Sequence, residues 1–304
     1  MQIVHAMLIG VCVWLIVAYA NQRSKGQPPE KTQRFVLRQS EEKNDPFANA
    51  LTHYPFETIL EGTKDFEIFD DIVRHKRVKL HFFEGGRTTM DTFLKCLAKK
   101  NDYVVVLEAG VWLGHSLVRW MRVSPNIKVI GVDPFVTPRS NNNMKKDRRA
   151  FPNSISKNIK NRFGAPCFNR GLTTFNIQRQ IPDAASRTIL VTGFYPEAIY
   201  PLFELEPNLP VHVFYLDGGK VAHDPKGKNL VKYKNFVTSS AETILNNYPS
   251  AVISGDDWRY SGILFQSIIK NITKKYNRRL FIAGNRTWFM VRPQQECIEL
   301  LEIL

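Results

Sequence analysis

Between Tyr103 and Pro293 the chain alternates short apolar runs with segments of helical period, and no other feature limits its fold so strongly. The runs read "YVVVL", "KVIGV", "TILVTG", "VHVFYLDG" and "SAVISGDDW", with helical patterns between them such as Leu117 to Met121 and Phe236 to Leu245. Strands that alternate with helices pair in parallel and are covered on both faces, which explains why they are continuously apolar. Near the end, "RRLFIAG" and "TWFMVRP" are separated by only a few residues containing Gly and Asn, so they pair as an antiparallel hairpin. The expected fold is α/β: a Rossmann-like doubly wound sheet, mostly parallel with an antiparallel C-terminal edge hairpin, in three αβα layers. No internal repeat is present.

The remaining sequence divides around this block. Phe56, Ile59, Leu60, Phe66, Phe69, Ile72 and Val73 recur at helical spacing, as do Met90, Phe93, Leu94 and Leu97 before "KKND". Residues 50–304 therefore read as one domain with a helical N-terminal extension, consistent with 304 residues at 43% hydrophobic content. Residues 21–49 are polar, with two prolines and no sustained period, and read as a tether. Residues 1–20 are different: Ile3 to Ala20 carries no charged side chain and is either a signal peptide or a short membrane anchor. Ala18-Tyr19-Ala20 fits a signal-peptidase site, whereas the length is just enough to span a bilayer. Membrane attachment or entry to the secretory pathway is expected through this segment, and the side of the membrane is open. Arg23, Lys25, Lys31 and Arg34 after it favour a cytosolic domain. The sequons at Asn271 and Asn285 are compatible with a lumen. Cys12 lies in the hydrophobic segment; Cys96, Cys167 and Cys297 have no C-x-x-C spacing and read as core or surface thiols, signalling neither zinc nor a disulfide framework.

The glycines carry the chemistry. "VVVLEAGVWLGHS" places Gly110 and Gly114 directly after the first strand, and Asp133 ends the second strand in "KVIGVDPF". In a doubly wound sheet the turn leaving the first strand faces the ligand crevice. Glycines there let the backbone approach a nucleotide-like ligand, the next helix presents free N–H groups, and an acid about 20 residues on accepts hydrogen bonds from both ribose hydroxyls. The alternative is that the two glycines only allow tight strand–helix packing.

These residues resemble a known family. "LEAGVWLGHS" with "IGVDPF" looks like motif I and the ribose acid of class I S-adenosylmethionine-dependent methyltransferases, in the branch of small-molecule O-methyltransferases. "ILVTGFYPEAI", "FYLDGGK" and "VISGDDW" are similar to that branch's third, fourth and fifth strand ends, so the ordered resemblance covers Tyr103 to Pro293. It implies that Glu108, Gly110, Gly114 and Ser116 surround the methionine portion of S-adenosylmethionine, Asp133 its ribose, and Gly193-Phe194 its adenine.

Asp217 ends one expected strand and Asp256-Asp257 the next, so three carboxylates converge at neighbouring strand ends. That set suits a hard cation, Mg2+ or Mn2+, which lowers the pKa of a bound substrate hydroxyl and positions its oxygen. Catechol O-methyltransferase and the macrolide and aminocoumarin sugar O-methyltransferases carry metal acids at these positions. The other reading makes Asp217 a cofactor ligand and Asp256-Asp257 a helix cap. Lys220 follows Asp217 by three residues, the offset at which catechol O-methyltransferase has the lysine that takes the hydroxyl proton. A partly desolvated lysine near a metal can act as general base, whereas an exposed one is simply part of a basic loop. The sugar enzymes tend to have an acid where this chain has Gly219; His223 and His115 are reserve bases.

Lysine and arginine outnumber the acids 42 to 28, a net charge of +14, which favours anionic partners. Nine of these cations fall between Arg139 and Arg170 against one acid. That stretch either docks an anionic acceptor or is a solvated face, and its few aromatics argue against nucleic acid. The expected activity is metal-assisted O-methylation of a hydroxylated small molecule or sugar. The alternatives are a luminal glycosyltransferase, a non-catalytic binding protein of the same fold, or a methyltransferase acting on protein or RNA.

Overall fold

Every apolar run singled out above is a strand in the structure, a computed structural model that describes residues 45–74, 87–136, 165–217, 230–259, 262–284 and 286–303. The strands are β1 (Val104–Ala109), β2 (Ile127–Asp133), β3 (Thr188–Thr192), β4 (Val213–Leu216), β5 (Val252–Gly255), β6 (Arg279–Ala283) and β7 (Thr287–Val291). They form one seven-stranded sheet in the order β3-β2-β1-β4-β5-β7-β6. The first five are parallel; β7 runs antiparallel beside β5 and β6 closes the edge antiparallel to β7. The fold is thus the expected Rossmann-like α/β sheet with an antiparallel C-terminal hairpin. Gly255 lets that hairpin close in, since a Cβ there would lie 2.6 Å from the Leu216 carbonyl oxygen and 2.7 Å from the Trp288 ring.

The helices are α1 (Pro46–His53), α2 (Lys64–Arg74), α3 (Arg87–Lys100), α4 (His115–Val123), α5 (Pro166–Gln180), α6 (Ala184–Arg187), α7 (Tyr200–Leu205), α8 (Leu230–Asn247), α9 (Gly262–Lys275) and α10 (Glu299–Glu302). Alternate strand residues serve opposite faces. Val105, Leu107 and Ala109 meet Phe47 of α1, Leu202 of α7, Ile244 of α8 and Ile269 of α9 in one core. Val104 and Val106 meet Phe93 of α3, Leu117 of α4 and Leu301 of α10 in the other. Helices cover both faces, giving the three layers.

Three details depart from the sequence reading. The first helix begins inside the stretch expected to be tether: Asp45 accepts from the Phe47 N–H at 3.0 Å and pairs with Lys128, while Phe47 is wholly buried. The apolar spacing at Phe56–Leu60 belongs to no helix. Gln178 pins that strand-like segment instead, exchanging two 2.7 Å bonds with the backbone of Ile59. Cys96 and Cys297, expected as thiols, form a disulfide across 201 residues with Cα atoms 6.1 Å apart. No local spacing announces this bond, because it arises where the C-terminal segment packs on α3. The hydrophobic run Ile3 to Ala20, residues 21–44, the segment 137–164 and both Lys220 and His223 lie outside the described residues. Among the described residues no helix is long and apolar enough to cross a membrane.

Candidate functional site

The strand register gathers the expected site residues on one edge of the sheet. Ala109 lies opposite both Val132 and Leu216, and Leu216 opposite Gly255. One hydrogen bond extends each ladder past the strand: Gly110 N–H to Val132 O at 2.9 Å, Gly193 N–H to Asp133 O at 3.1 Å, and Asp217 N–H to Ala109 O at 2.9 Å. Glu108, Asp133, Gly193, Asp217 and Asp256 therefore stand along the C-terminal ends of β1 to β5. The strand order reverses between β1 and β4, which is where such sheets open a ligand crevice.

The loop from β1 to α4 is shaped by its backbone. Gly110 and Gly114 have φ of 96° and 81°, and Trp112 between them is also left-handed at 52°. Glycine adopts that region freely, while tryptophan does so only when its surroundings impose it. Here α5 imposes it. Thr173 donates its hydroxyl to the Trp112 carbonyl at 2.7 Å and Asn176 donates to the Leu113 carbonyl at 3.2 Å, while Asn169 holds the turn after β2, donating to the Phe135 carbonyl at 2.9 Å. All three side chains are buried. Asp133 joins this loop to the turn after β2: Oδ2 accepts from the Trp112 N–H at 3.0 Å and Oδ1 from the Phe135 N–H at 2.5 Å. Gly114 also has no room for a side chain to spare, since a Cβ would come within 3.0 Å of Ile177. The packing reading therefore holds for Gly114.

Glu108 is fully buried below this loop, and the Ser116 hydroxyl faces both its oxygens at 2.6 and 2.8 Å. Burial, reinforced by the charge of Asp217, pushes its carboxyl well above the usual range, against the pull of Ser116 and Arg87. Burial also raises Asp133, and the N–H groups of Trp112 and Phe135 oppose it. At the far end of the row Gly193 has φ of 150° and sits where a Cβ would be 2.6 Å from the Ala198 side chain. Phe194, the next residue, is 69% exposed. His115 is the first residue of α4 and half-buried.

The three acids expected to hold a metal each face a guanidinium. Arg87, the first residue of α3, is buried and donates from Nη2 to Asp217 at 3.4 Å and to Asp256 at 3.0 Å, with Nε 3.3 Å from Asp256. Burial works against its charge, but Tyr215, Asp217, Asp256 and Glu108 around it raise its pKa above the ordinary value. Asp257, left-handed at φ 60°, accepts from Arg286 at 3.2 Å. Asp256 accepts the Asp257 N–H on its second oxygen at 2.8 Å. Among the described residues, only Cys96, Cys297 and Glu299 bring three ligand-type atoms together, and those two sulfurs are bonded to each other. As arranged, Asp217, Asp256 and Asp257 do not fit a divalent cation, because a fixed positive charge stands where the ion would. Sequence reasoning missed Arg87. Nothing in "EGGRTTMD" distinguishes it from an exposed helix-start arginine.

No protein-family model matches the chain, and no curated protein matches it. Several solved structures resemble it at low identity. An O-methyltransferase from Bacillus cereus in complex with S-adenosylhomocysteine is 13% identical with a TM-score of 0.37, over 81% of this chain and 96% of that one. The O-methyltransferase TomG from Streptomyces achromogenes, in complex with S-adenosylmethionine, is 11% identical with a TM-score of 0.38, over 77% and 92%. A precorrin-6y C5,15-methyltransferase from Geobacter metallireducens GS-15 is 12% identical with a TM-score of 0.39, over 70% and 90%. The assignment of the fold stands on the strand order and pairing of this chain.

Proposed function

We propose that the chain is an S-adenosylmethionine-dependent methyltransferase that methylates a hydroxyl group of a small molecule or sugar. The observation that carries this reading is the continuous row formed by the Glu108–Ser116 pair, the left-handed Gly110–Gly114 loop and Asp133. Asp133 takes two backbone N–H groups and, with about four acceptor sites on a carboxylate, keeps capacity for a ribose diol. Gly110 and Gly114 present backbone with no side chain at their own positions, and the exposed Phe194 would stack on a base. Glu108, Gly110, Gly114 and Ser116 would line the methionine end. Bound there, the cofactor supplies a methyl group on a sulfonium.

The chain's own residues would do the rest. The pins from α5 hold the loop in its binding shape before any ligand arrives, which lowers the ordering cost of binding. Asp217, at the end of β4 between β1 and β5, would orient an acceptor. Lys220, three residues later in sequence, is the proposed proton acceptor for the attacking hydroxyl. The basic stretch Arg139 to Arg170 would favour an anionic acceptor. Titration calorimetry of the purified full chain with S-adenosylmethionine, S-adenosylhomocysteine and sugar nucleotides tests the reading. Binding of the first two is expected; binding of sugar nucleotides in their stead would replace methyl transfer with glycosyl transfer.

A further inference from the structure

The ends of β4 and β5 carry two carboxylates with one cation already built between them. Asp217 and Asp256 each lie one residue past the paired Leu216 and Gly255, so they project at the same level of adjacent strands. Arg87 reaches both from a different layer, with Nη2 at 3.4 and 3.0 Å, and lies 6.0 Å from the centre of the Tyr215 ring. Removing it would leave two neighbouring acids facing one another beside Glu108. A guanidinium donates only and keeps its proton at any working pH, so its charge is as permanent as a metal's. Arg286 does the same for Asp257 at 3.2 Å, and its Nε stands 3.9 Å from Asp256.

We propose that Arg87 takes the place of a divalent cation in this crevice: it ties the ends of β4 and β5 together and positions Asp217, and the site takes up no Mg2+ or Mn2+. Arg87 is a positioning residue. The role assigned to Asp217 rests on the methyltransferase reading, whereas the exclusion of metal does not, and the two fail separately. Binding of S-adenosylhomocysteine tests the first and uptake of Mn2+ tests the second.

The experiment is Mn2+ titration of the full chain, followed by calorimetry and thermal unfolding, for wild type, Arg87→Ala, Arg87→Lys and Asp256→Asn. Wild type is expected to bind no Mn2+, with its unfolding midpoint and S-adenosylhomocysteine affinity unmoved by a chelator. Arg87→Ala should unfold on the order of 10 °C lower, as follows from leaving a buried charge unpaired. Millimolar Mn2+ or guanidinium ion should then restore part of that loss by filling the vacated position, and Arg87→Lys should keep most of the midpoint and gain no metal. A wild-type chain that binds one Mn2+, lost in Asp256→Asn, overturns the proposal. So does an Arg87→Ala chain that keeps wild-type stability and gains no affinity for either cation. The wild-type and Asp256→Asn titrations decide the matter even if Arg87→Ala fails to fold.

A different observation carries a second inference. The Cys96–Cys297 disulfide joins α3 to the C-terminal segment, and Cys297 is 1% exposed. Bonds of this kind form and persist in oxidising compartments and are rare where glutathione keeps thiols reduced. Asn271 of the sequon Asn271-Ile272-Thr273 is exposed on α9, so a glycan attached there projects into solvent. Ile272 and Thr273 are buried, which requires attachment before the helix packs. We infer that this domain folds on the lumenal or extracellular side of a membrane and carries an N-linked glycan at Asn271. The test is expression of the full chain in a secretion-competent eukaryotic cell, with thiols blocked before lysis. A disulfide-linked Cys96–Cys297 peptide and an endoglycosidase-sensitive mass lost in Asn271→Gln are expected. Alkylated Cys96 and Cys297 with no glycan would place the domain in the cytosol and overturn the inference. A linked pair with Asn271 unmodified would overturn its glycan half.

Discussion

Replacing Asp133 with alanine puts a number on the cofactor reading. The carboxylate accepts the N–H groups of Trp112 and Phe135 and, in the proposed complex, two ribose hydroxyls. Hydrogen bonds to a charged acceptor contribute about 1.5 to 3 kcal/mol. Losing the hydroxyl partners should therefore weaken S-adenosylhomocysteine binding roughly 10- to 150-fold, at about 1.4 kcal/mol per factor of ten. The same truncation deprives the N–H groups of Trp112 and Phe135 of their acceptor, so the fold should lose a further 1 to 3 kcal/mol or so. Two controls separate the terms. Asp133→Asn keeps one carbonyl acceptor for the loop but no charge, so it should spare stability more than binding. A ligand lacking the ribose hydroxyls should bind wild type poorly yet bind Asp133→Ala no worse than the parent ligand does, because the partner it would miss is already gone. Calorimetric titration of folded variants gives the affinities and thermal unfolding the stabilities. Unchanged affinity in a folded Asp133→Ala chain, or equal discrimination by both proteins, would remove Asp133 from the ribose site.

Glu108→Gln tests the buried acid through pH. Because the folded carboxyl titrates above its unfolded value, the folded state holds its proton longer; wild-type stability should fall as pH rises from about 4 through that window. The glutamine variant lacks this fall, so its midpoint relative to wild type should climb between pH 4 and pH 8, and a constant difference would contradict the assignment. For the disulfide, closing a loop of 201 residues corresponds to roughly 5 kcal/mol in the chain-entropy account. Cys96→Ser, Cys297→Ser and reduced wild type should each be less stable by about 2 to 5 kcal/mol in denaturant unfolding, and a midpoint indifferent to reductant would argue against the bond. Lys220→Ala should lower turnover on an identified acceptor by about 10² to 10⁴ while leaving S-adenosylmethionine affinity nearly intact. It should also lose the rising limb of the pH profile; wild-type turnover and pH dependence would exclude Lys220 as the base.

What the sequence disclosed were local properties. Strands β1 to β5 and β7 could be read because burial on both faces leaves a run of apolar residues, and the half-exposed edge strand β6 through its short link to β7; each run sat where β1 to β7 now stand. Gly110, Gly114 and Asp133 could be read because a left-handed turn and a strand-end acid leave marks at fixed spacing. The contacts that fix the site leave no such marks. Asn169, Thr173 and Asn176 look like ordinary polar positions on a helix, and only the docking of α5 shows that they hold carbonyls of the β1–α4 loop and of the turn after β2. Arg87 and Asp256 lie 169 residues apart. The same distance problem hid the disulfide: Cys96 and Cys297 carry no spacing rule, only a shared place under the C-terminal segment. Both hidden contacts involve α3, whose first residue reaches the site and whose tenth is bonded to the other end of the domain.

The local charge of the crevice also bears on which ligand it takes. The chain as a whole is strongly basic, at +14, which by itself favours anionic ligands such as nucleotide sugars. At the strand ends the balance is reversed. Among the described residues, Asp217, Asp256 and Asp257 outnumber the two guanidinium groups they pair with, Arg87 and Arg286, and Glu108 and Asp133 stand in the same row. Both guanidinium groups already face carboxylates, so neither is placed to neutralise a diphosphate without releasing an acid. A diphosphate-linked donor would bring more negative charge to this row, whereas a sulfonium brings a positive one to a site where carboxylates are in excess. Short-range interactions in a partly buried crevice are screened far less than those across an exposed surface. Among the described residues the excess of carboxylates suits a cationic methyl donor better than a sugar nucleotide, on grounds independent of the glycine motif.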